Sequence, residues 1–278
     1  FGATEFLGYS SETAEGQILA IVKDGKVIDQ ASAGDEVQIV VNQTPFYGES
    51  GGQVGDSGTL STPTGEIKIS DTVFGLPGLR KHIGKLTRGE IKIGESVTAT
   101  IDTVARDATR KNHTATHLLH HALRLVLGEH VKQAGSLVSP QRLRFDFSHY
   151  AQLSKQEIDQ IEQIANAQVL ANAKVDAYET SKDEATAAGA IAFFGDKYGD
   201  VVRVLEAGSS LELCGGTHVS ATGDIGPIKI VSEGSIGSNL RRVEAVTGEN
   251  AIRYLLDLTD TLANAADVLG TKPDDVVA

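Results

Sequence analysis

Two short motifs in this chain carry potential metal ligands at the same spacing. His113 and His117 lie four positions apart, and about a hundred residues later Cys214 and His218 repeat that spacing. On a helix, a separation of four residues places two imidazoles on one face. Three histidines and one thiolate make a plausible tetrahedral set for Zn²⁺, which prefers imidazole nitrogen and thiolate sulfur. These residues predict one zinc ion held by two remote segments.

The residues near the two pairs and the distance between the pairs exclude two common kinds of zinc site. No glutamate follows His113, so the general base of the His-Glu-x-x-His peptidases is missing, and the distance between the pairs is too long for a zinc finger. Four protein ligands are typical of a structural zinc, and His120 or His121 could replace one of them. A catalytic site is equally open.

Three nearby features would suit a catalytic zinc site. Glu212 lies two residues before Cys214 on a predicted strand, where its carboxylate could accept a proton. Gln133 follows the first predicted helix. Gly215 and Gly216 leave backbone N–H groups that could stabilise an oxyanion.

Composition sets the outer limits. The chain has 278 residues, a net charge of −12, one cysteine and no methionine. This length predicts two domains. One cysteine excludes an intramolecular disulfide and fits a cytoplasmic protein, and no apolar run approaches the ~20 residues of a membrane span. Because the chain starts at Phe1 without a methionine, we expect it to be a piece of a longer protein.

The first hundred residues predict a small antiparallel β-barrel. Short β-type runs alternate with Gly, Pro and Asp, and Asp24-Gly25 is a strong signal for a two-residue hairpin. The predicted strands are Ile18–Val22, Val27–Ile28, Val37–Val41, Ile67–Ile69 and Val97–Ile101.

A glycine-rich segment at residues 44–56 interrupts these strands. It begins at Thr44 and contains Gly51 and Gly52. Such glycines permit close approach of the backbone to a ligand or to another segment. A mobile hairpin loop is the alternative.

Helices enter near Asp102 and alternate with strands from there on. Apolar periodicity predicts a helix from about Arg106 to Leu127, a capping box at Ser154 starts a second one that runs to about Ala171, and a third begins at Glu249. The strands predicted among them are Leu143–Phe147, Val201–Leu205, Leu211–Leu213, Ile228–Val231 and Arg242–Val246. The fold class is therefore α+β.

The last helix carries a seam of apolar residues. The residues that step by three and four are Ile252, Leu255, Thr259, Leu262, Ala266 and Leu269, a pattern that resembles a short coiled-coil seam. The seam indicates the start of a longer helix.

The predicted domains are a β-barrel domain (1–100), an α+β domain (101–248) and the beginning of a linker or coiled-coil helix (249–278).

Four segments of the chain resemble the editing domain of alanyl-tRNA synthetases. They are Asn112–His120, Gln133–Ser136, Arg144–Phe147 and Cys214–Val219. Thr4–Tyr9 and the glycine-rich segment resemble the barrel that precedes that domain, and Arg241–Gly248 resembles its closing strand. The same core occurs in stand-alone alanyl-tRNA deacylases and, more distantly, in threonyl-tRNA synthetases.

The resemblance implies hydrolysis of seryl- and glycyl-tRNA(Ala) by a zinc site. His113, His117, Cys214 and His218 would be the ligands, Gln133 a pocket residue that affects the choice of amino acid, and Glu212 a weaker catalytic candidate. In one hypothesis zinc activates the attacking water; in the other it orients the substrate, and Glu212 or a tRNA hydroxyl assists the water. A zinc-stabilised tRNA-binding module without activity is the competing class, and a metal-dependent peptidase is a less favoured one.

The expected partner is tRNA(Ala), especially its aminoacylated 3′ end, and neither DNA nor a membrane is expected. Thr44, Gly51 and Gly52 are candidates for contact with the substrate. Candidates for contact with tRNA phosphates are Arg106, Arg110, Lys111, Arg144, Arg241 and Arg242. The alternative is that these are ordinary solvated charges on an acidic protein. The oligomeric state stays open.

Overall fold

The computed structural model describes residues 2–192 and 199–277. Proximity of Cα atoms divides the chain into two compact units. The first unit consists of Phe1–His113, Ser136–Pro140 and Cys214–His218. The second consists of Thr114–Gly135, Gln141–Leu213 and Val219–Ala278. The first unit therefore contains two short segments from later in the chain, and one of them carries Cys214 and His218.

The first unit is built around a closed antiparallel barrel. Its strands are Glu5–Phe6 (β1), Thr13–Lys23 (β2), Lys26–Ile28 (β3), Gln30–Ser32 (β4), Glu36–Val41 (β5), Gln43–Thr44 (β6), Gly58–Ser61 (β7), Gly65–Leu76 (β8), Leu79–Lys92 (β9) and Ser96–Ile101 (β10). The order β10-β7-β8-β9-β5-β2 closes into a ring because β10 also pairs with β2. Closure leaves these strands without a free edge. The predicted small antiparallel barrel is confirmed.

The barrel interior is filled by aliphatic side chains from alternate strand positions. Ile18, Ile39, Leu60, Ile67 and Leu86 are completely buried in one cluster. Burying an aliphatic side chain of this size contributes about 1.5–3 kcal/mol. The period-two alternation of the strands therefore supplies the core of this unit.

The first hairpin has the turn that its sequence predicts. Asp24 and Gly25 connect β2 to β3 with φ angles of 50° and 75°. Two positive φ angles in succession are those of a type I′ turn, whose twist matches that of the flanking strands. The Asp-Gly prediction is confirmed.

The longest hairpin extends far beyond its prediction. β8 and β9 pair over most of their 12 and 14 residues, whereas the sequence predicts only Ile67–Ile69. Register shifts interrupt the pairing between Glu66 and Ile67, and again between Ile69 and Asp71. Each shift moves the apolar positions to the other face. The alternation is therefore broken, and the full strands cannot be recognised from it.

The remaining elements begin with helix α1, which passes from the first unit into the second at His113. The helices are Thr103–Leu127 (α1), Lys155–Ala171 (α2), Lys182–Ala187 (α3) and Gly248–Leu269 (α4). The strands are Gln133–Val138 (β11), Leu143–Ser148 (β12), Val175–Ser181 (β13), Val201–Ala207 (β14), Ser210–Leu213 (β15), Ile228–Gly237 (β16) and Leu240–Thr247 (β17). They form two sheets, ordered β11-β12-β17-β16 and β13-β14-β15. The α+β class is confirmed.

Capping explains where two of these helices begin. The Ser154 hydroxyl accepts a hydrogen bond from the Glu157 N–H, and the Glu157 carboxylate accepts one from the Ser154 N–H. The predicted capping box of α2 is therefore confirmed. Ser181 and Glu184 form a second capping box at the start of α3. The sequence analysis missed α3, because this helix is only six residues long and shows little periodicity. It also missed the strands β11 and β13.

Helix α4 keeps most of its apolar seam on the surface of this chain. Ile252, Leu255 and Leu262 are between 42% and 49% exposed, whereas Ala266 is buried. Gly270 ends the helix with φ +66°, as its position predicts. The pairing of this seam with another helix stays a prediction. None of the helices in the described residues has an apolar stretch long enough to cross a membrane.

One titratable side chain lies inside the barrel. His82 on β9 is completely buried, and its Nδ1 lies 3.1 Å from the Ile39 carbonyl oxygen. A carbonyl only accepts, so Nδ1 carries the proton and Nε2 accepts from Thr44 Oγ1 at 2.8 Å. Burial lowers the pKa of His82 from 6.5 to about 4. The imidazole is therefore neutral in the folded barrel.

This histidine makes barrel stability depend on pH. The unfolded chain binds a proton at pH values below about 6.5 that the folded chain does not bind until about pH 4, so the free energy of unfolding falls as pH decreases through that window, by up to about 3 kcal/mol. His82→Gln can donate to Ile39 and accept from Thr44, yet it does not titrate. We expect urea unfolding to show a weaker loss of stability between pH 7 and pH 4.5 in this variant. Equal losses in both proteins would contradict the prediction.

Candidate metal centre

The four predicted ligands come together. His113 and His117 lie one turn apart on α1 and are each 5% exposed. Cys214 follows the end of β15, and His218 lies beyond the Gly215-Gly216 turn. One donor atom from each residue lies within 4.8 Å of the others. This cluster, called here the His/Cys cluster, can hold a metal ion.

The distances inside the His/Cys cluster suit zinc. Cys214 Sγ lies 3.4 Å from His113 Nε2 and 3.3 Å from His218 Nε2. In tetrahedral coordination, zinc bonds of about 2.3 Å to sulfur and about 2.0 Å to nitrogen place those two atoms about 3.5 Å apart. The donor set of imidazoles and a thiol is also the one that zinc prefers. The residues fit the ion.

The Gly215-Gly216 turn shapes the cluster through its second glycine, and the prediction for the Gly215 N–H stays a prediction. The Gly216 N–H donates to Cys214 Sγ at 3.4 Å, so the prediction that this N–H meets an oxyanion is wrong. A hydrogen bond to sulfur stabilises the thiolate that binds metal. A Cβ on Gly216 would lie 2.0 Å from Cε1 of His113. Only glycine leaves room for the imidazole at that position.

Glu212 on β15 binds two imidazoles. Its Oε1 accepts from His120 Nδ1 at 2.7 Å, and its Oε2 accepts from His117 Nδ1. Because a carboxylate only accepts, the proton of each imidazole lies on Nδ1, and Nε2 is the atom of His117 that could bind a metal. Burial alone would raise the pKa of Glu212, but His117 and His120 lower it to about 2.

The prediction that Glu212 accepts a proton from water is therefore corrected. Both of its carboxylate oxygens are engaged by imidazoles, and the residue is only 1% exposed. Glu212 orients His117 instead.

The glycine-rich segment contributes a residue that the sequence analysis missed. Gln53 is completely buried, and its Oε1 lies 2.8 Å from His113 Nδ1. The same oxygen accepts the Thr217 N–H at 2.9 Å, and Gln53 Nε2 donates to Thr217 Oγ1 at 2.9 Å. The available signal was an amide side chain directly after two glycines that permit close approach.

The other residues predicted in the glycine-rich segment have different surroundings. Thr44 is completely buried, and its hydroxyl donates to His82 and accepts the Phe46 N–H, so its assignment as a substrate contact is corrected. Gly51 is exposed, and a Cβ there would meet no atom within 4 Å. Gly52 approaches the Ser136 carbonyl, where a Cβ would lie 2.7 Å from its oxygen.

Gln133 is half-buried at the first position of β11, and its role stays a prediction.

Arg106 is wrongly predicted as a phosphate contact. It has no exposed surface, and its guanidinium binds Asp56 and the carbonyl oxygens of Gly8 and Pro45. Every face of the guanidinium is thus directed into the first unit. This arginine is structural.

The other predicted basic residues lie nearer the surface, and most form ion pairs. Arg110 pairs with Glu12 and Asp107, and Lys111 is half-buried on the same helix. In the second unit the pairs are Arg241 with Glu233, Arg242 with Asp146, and Arg144 with Asp146 at 3.8 Å. Contact with tRNA through these arginines stays a prediction, and it would require exchange of carboxylates for phosphates.

Comparisons with known proteins agree with the geometry. Residues 2–105 match a family model described as tRNA synthetases class II (A). Residues 202–244 match the threonyl and alanyl tRNA synthetase second additional domain, which includes Cys214 and His218. Both matches belong to aminoacyl-tRNA synthetases.

Individual relatives match along nearly the whole chain. The alanine–tRNA ligase of Rhizobium johnstonii is 52% identical over 288 aligned residues, which cover 100% of this chain and 33% of the relative. Those of Rhizobium meliloti and Desulfitobacterium hafniense are each 50% identical and cover 99% of the chain and 32% of the relative. This chain spans about a third of the length of the curated relatives it matches. The sequence similarity to these ligases and the His/Cys cluster point to the same family. The chain belongs to the alanine–tRNA ligase family as a segment containing the editing-domain region.

Proposed function

We propose that this chain hydrolyses the ester bond of mischarged tRNA(Ala) and releases serine or glycine. The observation that carries the proposal is the convergence of His113, His117, Cys214 and His218 in a chain similar to alanine–tRNA ligases throughout its length. Segments about a hundred residues apart supply donors that fit one zinc ion. We further propose the domain boundaries 1–100, 101–248 and 249–278 and a cytoplasmic location.

The need for such an activity follows from the size of the substrates. A site that admits alanine cannot strongly reject glycine, which is one methyl smaller, or serine, which adds only a hydroxyl. A second site that hydrolyses the wrong product corrects this error. Gln133 is our candidate for the side chain that senses the amino acid there.

The residues of the chain have separate roles in this proposal. Cys214 and the three histidines would hold the zinc ion, which supplies a positive charge able to polarise the ester carbonyl or to activate water. The Gly216 N–H stabilises the Cys214 thiolate, and Glu212 holds His117 in the tautomer whose Nε2 could bind the ion. Arg110, Lys111, Arg144, Arg241 and Arg242 are candidates to bind tRNA phosphates, in which case binding weakens steeply with added salt.

A second candidate function is a zinc-stabilised module that binds tRNA without hydrolysing it. The engagement of Glu212 by two imidazoles favours this alternative, since it removes one candidate for the general base. Four protein ligands also resemble a structural zinc site. The two candidates differ in whether the chain releases the amino acid.

One assay separates them. We expect the chain to release serine from seryl-tRNA(Ala), a chelator to abolish the release, and added zinc to restore it. The Cys214→Ala variant should lose zinc and hydrolysis together, because it lacks the only thiolate of the cluster. Alanyl-tRNA(Ala) serves as the control substrate and should persist. Binding of tRNA without release of serine would support the second candidate, and full activity of Cys214→Ala would refute the ligand assignment.

A further inference from the structure

We propose that Gln53 is a positioning residue of the metal centre, through which the glycine-rich segment orients His113. The inference rests on the proposed zinc site, and it does not depend on which reaction occurs there. Gln53 lies 60 residues from His113 and 164 residues from Thr217 in the chain, yet its side chain contacts both. It therefore links the barrel segment both to α1 and to the turn that carries Cys214 and His218.

The hydrogen bonds around Gln53 determine the protonation of His113. The Thr217 backbone N–H can only donate, so the atom it meets at 2.9 Å must be the amide oxygen of Gln53. His113 Nδ1 lies 2.8 Å from that same oxygen and must also donate. The proton of His113 is thus on Nδ1, and the lone pair of Nε2 faces Cys214 Sγ at 3.4 Å. This is the tautomer that a metal at Nε2 needs.

The other half of the amide ties down the ligand turn. Gln53 Nε2 donates to Thr217 Oγ1, so both ends of the amide are held by Thr217. Thr217 lies between Gly216 and His218 in the turn. Because Gln53 is completely buried, water cannot readily replace these bonds. The Gln53 side chain therefore orients His113 on the helix and stabilises the turn that carries Cys214 and His218.

The backbone of the glycine-rich segment holds Gln53 in place. Val138 N–H donates to the Gly52 carbonyl at 2.7 Å, and Val54 N–H donates to the Val138 carbonyl at 3.0 Å. The approach is so close that a Cβ on Gly52 would lie 2.7 Å from the Ser136 carbonyl oxygen. The glycine at position 52 is thus required for docking, and docking delivers Gln53 to His113.

Two substitutions at position 53 test the role of the amide oxygen. Gln53→Met keeps the length and removes both hydrogen-bonding groups, whereas Gln53→Glu keeps an oxygen that accepts from His113 and from the Thr217 N–H. Loss of such a partner typically reduces metal affinity about 10–100-fold. We expect that reduction for Gln53→Met in competition with a chelator, and a clearly smaller one for Gln53→Glu.

A spectroscopic measurement separates positioning from general loss of stability. In nitrogen-15 NMR spectra of the zinc-loaded chain, His113 should show a protonated Nδ1 protected from exchange with solvent. Gln53→Glu should retain the protected proton and Gln53→Met should lose it. Unchanged zinc affinity and an unchanged Nδ1–H signal in Gln53→Met would overturn the proposal, as would an equal loss in both variants.

A pair of glycine variants tests the docking step. Gly51 and Gly52 both have positive φ angles, of 61° and 90°, so alanine is strained at either position. Only the Cβ at position 52 would collide with Ser136. We expect Gly52→Ala to reduce zinc affinity as Gln53→Met does, and Gly51→Ala to reduce it less. Equal affinities would contradict the docking step.

Failure of this proposal and failure of the proposed function give different results. A chain that binds zinc with the predicted sensitivity to Gln53→Met but leaves seryl-tRNA(Ala) intact would refute only the proposed function. A chain that hydrolyses seryl-tRNA(Ala) while Gln53→Met binds zinc normally would refute only the role of Gln53.

Discussion

Replacing Arg106 by methionine should lower the free energy of unfolding by about 3–5 kcal/mol, because it leaves a buried carboxylate without its cation. The Arg106 guanidinium has no exposed surface and binds Asp56, which is 7% exposed. It also donates to the carbonyl oxygens of Gly8 and Pro45, at 2.9 Å each. Methionine fills a similar volume but satisfies none of these acceptors.

Arg110 offers a matched control one turn along the same helix. It also pairs with two carboxylates, Glu12 and Asp107, but these lie at 45% and 56% exposure. An exposed ion pair contributes about 0–1 kcal/mol. Urea unfolding should therefore show a small shift for Arg110→Met and a large one for Arg106→Met.

A double variant identifies the cause of the Arg106 effect. Adding Asp56→Asn to Arg106→Met removes the uncompensated charge, so we expect it to restore part of the lost stability. The amide of the substituted side chain would still present an oxygen to the Tyr47 N–H, which now donates to Asp56 at 2.6 Å. Two results would contradict a stabilising role of the Arg106–Asp56 ion pair. One is a double variant less stable than Arg106→Met, and the other is similar shifts for Arg106→Met and Arg110→Met.

The second large effect concerns the metal centre. Gly216→Ala should disrupt zinc binding more strongly than any change around the ligands, because the new Cβ would lie 2.0 Å from Cε1 and 2.4 Å from Nδ1 of His113. The imidazole must move, and it would leave both Gln53 and the ion. The loss in affinity should equal or exceed the roughly 10–100-fold cost of removing an outer hydrogen-bonding partner.

Gly215 provides the comparison within the same turn. A Cβ there would find only the Tyr9 hydroxyl, 4.0 Å away, which is ordinary contact. Both variants make the unfolded chain less flexible to the same extent, so the difference between them reports the collision with His113. Zinc titration of Gly215→Ala and Gly216→Ala measures it directly. Similar affinities would mean that the turn or the ring relaxes without cost.

Local features of the sequence predicted most of the secondary structure. The Asp24-Gly25 turn, the capping box at Ser154 and the periodicity of α1 each concern neighbours within four positions, and each was confirmed. The long β8–β9 hairpin was underestimated because register shifts interrupt its alternation. Helix α3 was missed because a six-residue helix hardly exceeds one turn.

The roles predicted for Arg106 and Glu212 were wrong for a different reason. Charge and position in the sequence predict that Arg106 contacts phosphate and that Glu212 accepts a proton, yet Asp56 and the pair His117 and His120 already engage them. These partners lie 50 to 95 positions away in the chain. A side chain is equally polar whether it faces solvent or a buried partner. Its type alone therefore does not reveal which role it has.

By itself the sequence determined the ligand types, their spacing and the strands and helices that carry them, since these depend on chemistry and on neighbours along the chain. Only the tertiary structure decided that Gln53 reaches His113, that Glu212 holds His117 and that Arg106 is buried. The physical reason is that burial and the partners of a polar group are set by how the folded chain brings distant segments together, and the order of residues does not specify those contacts locally.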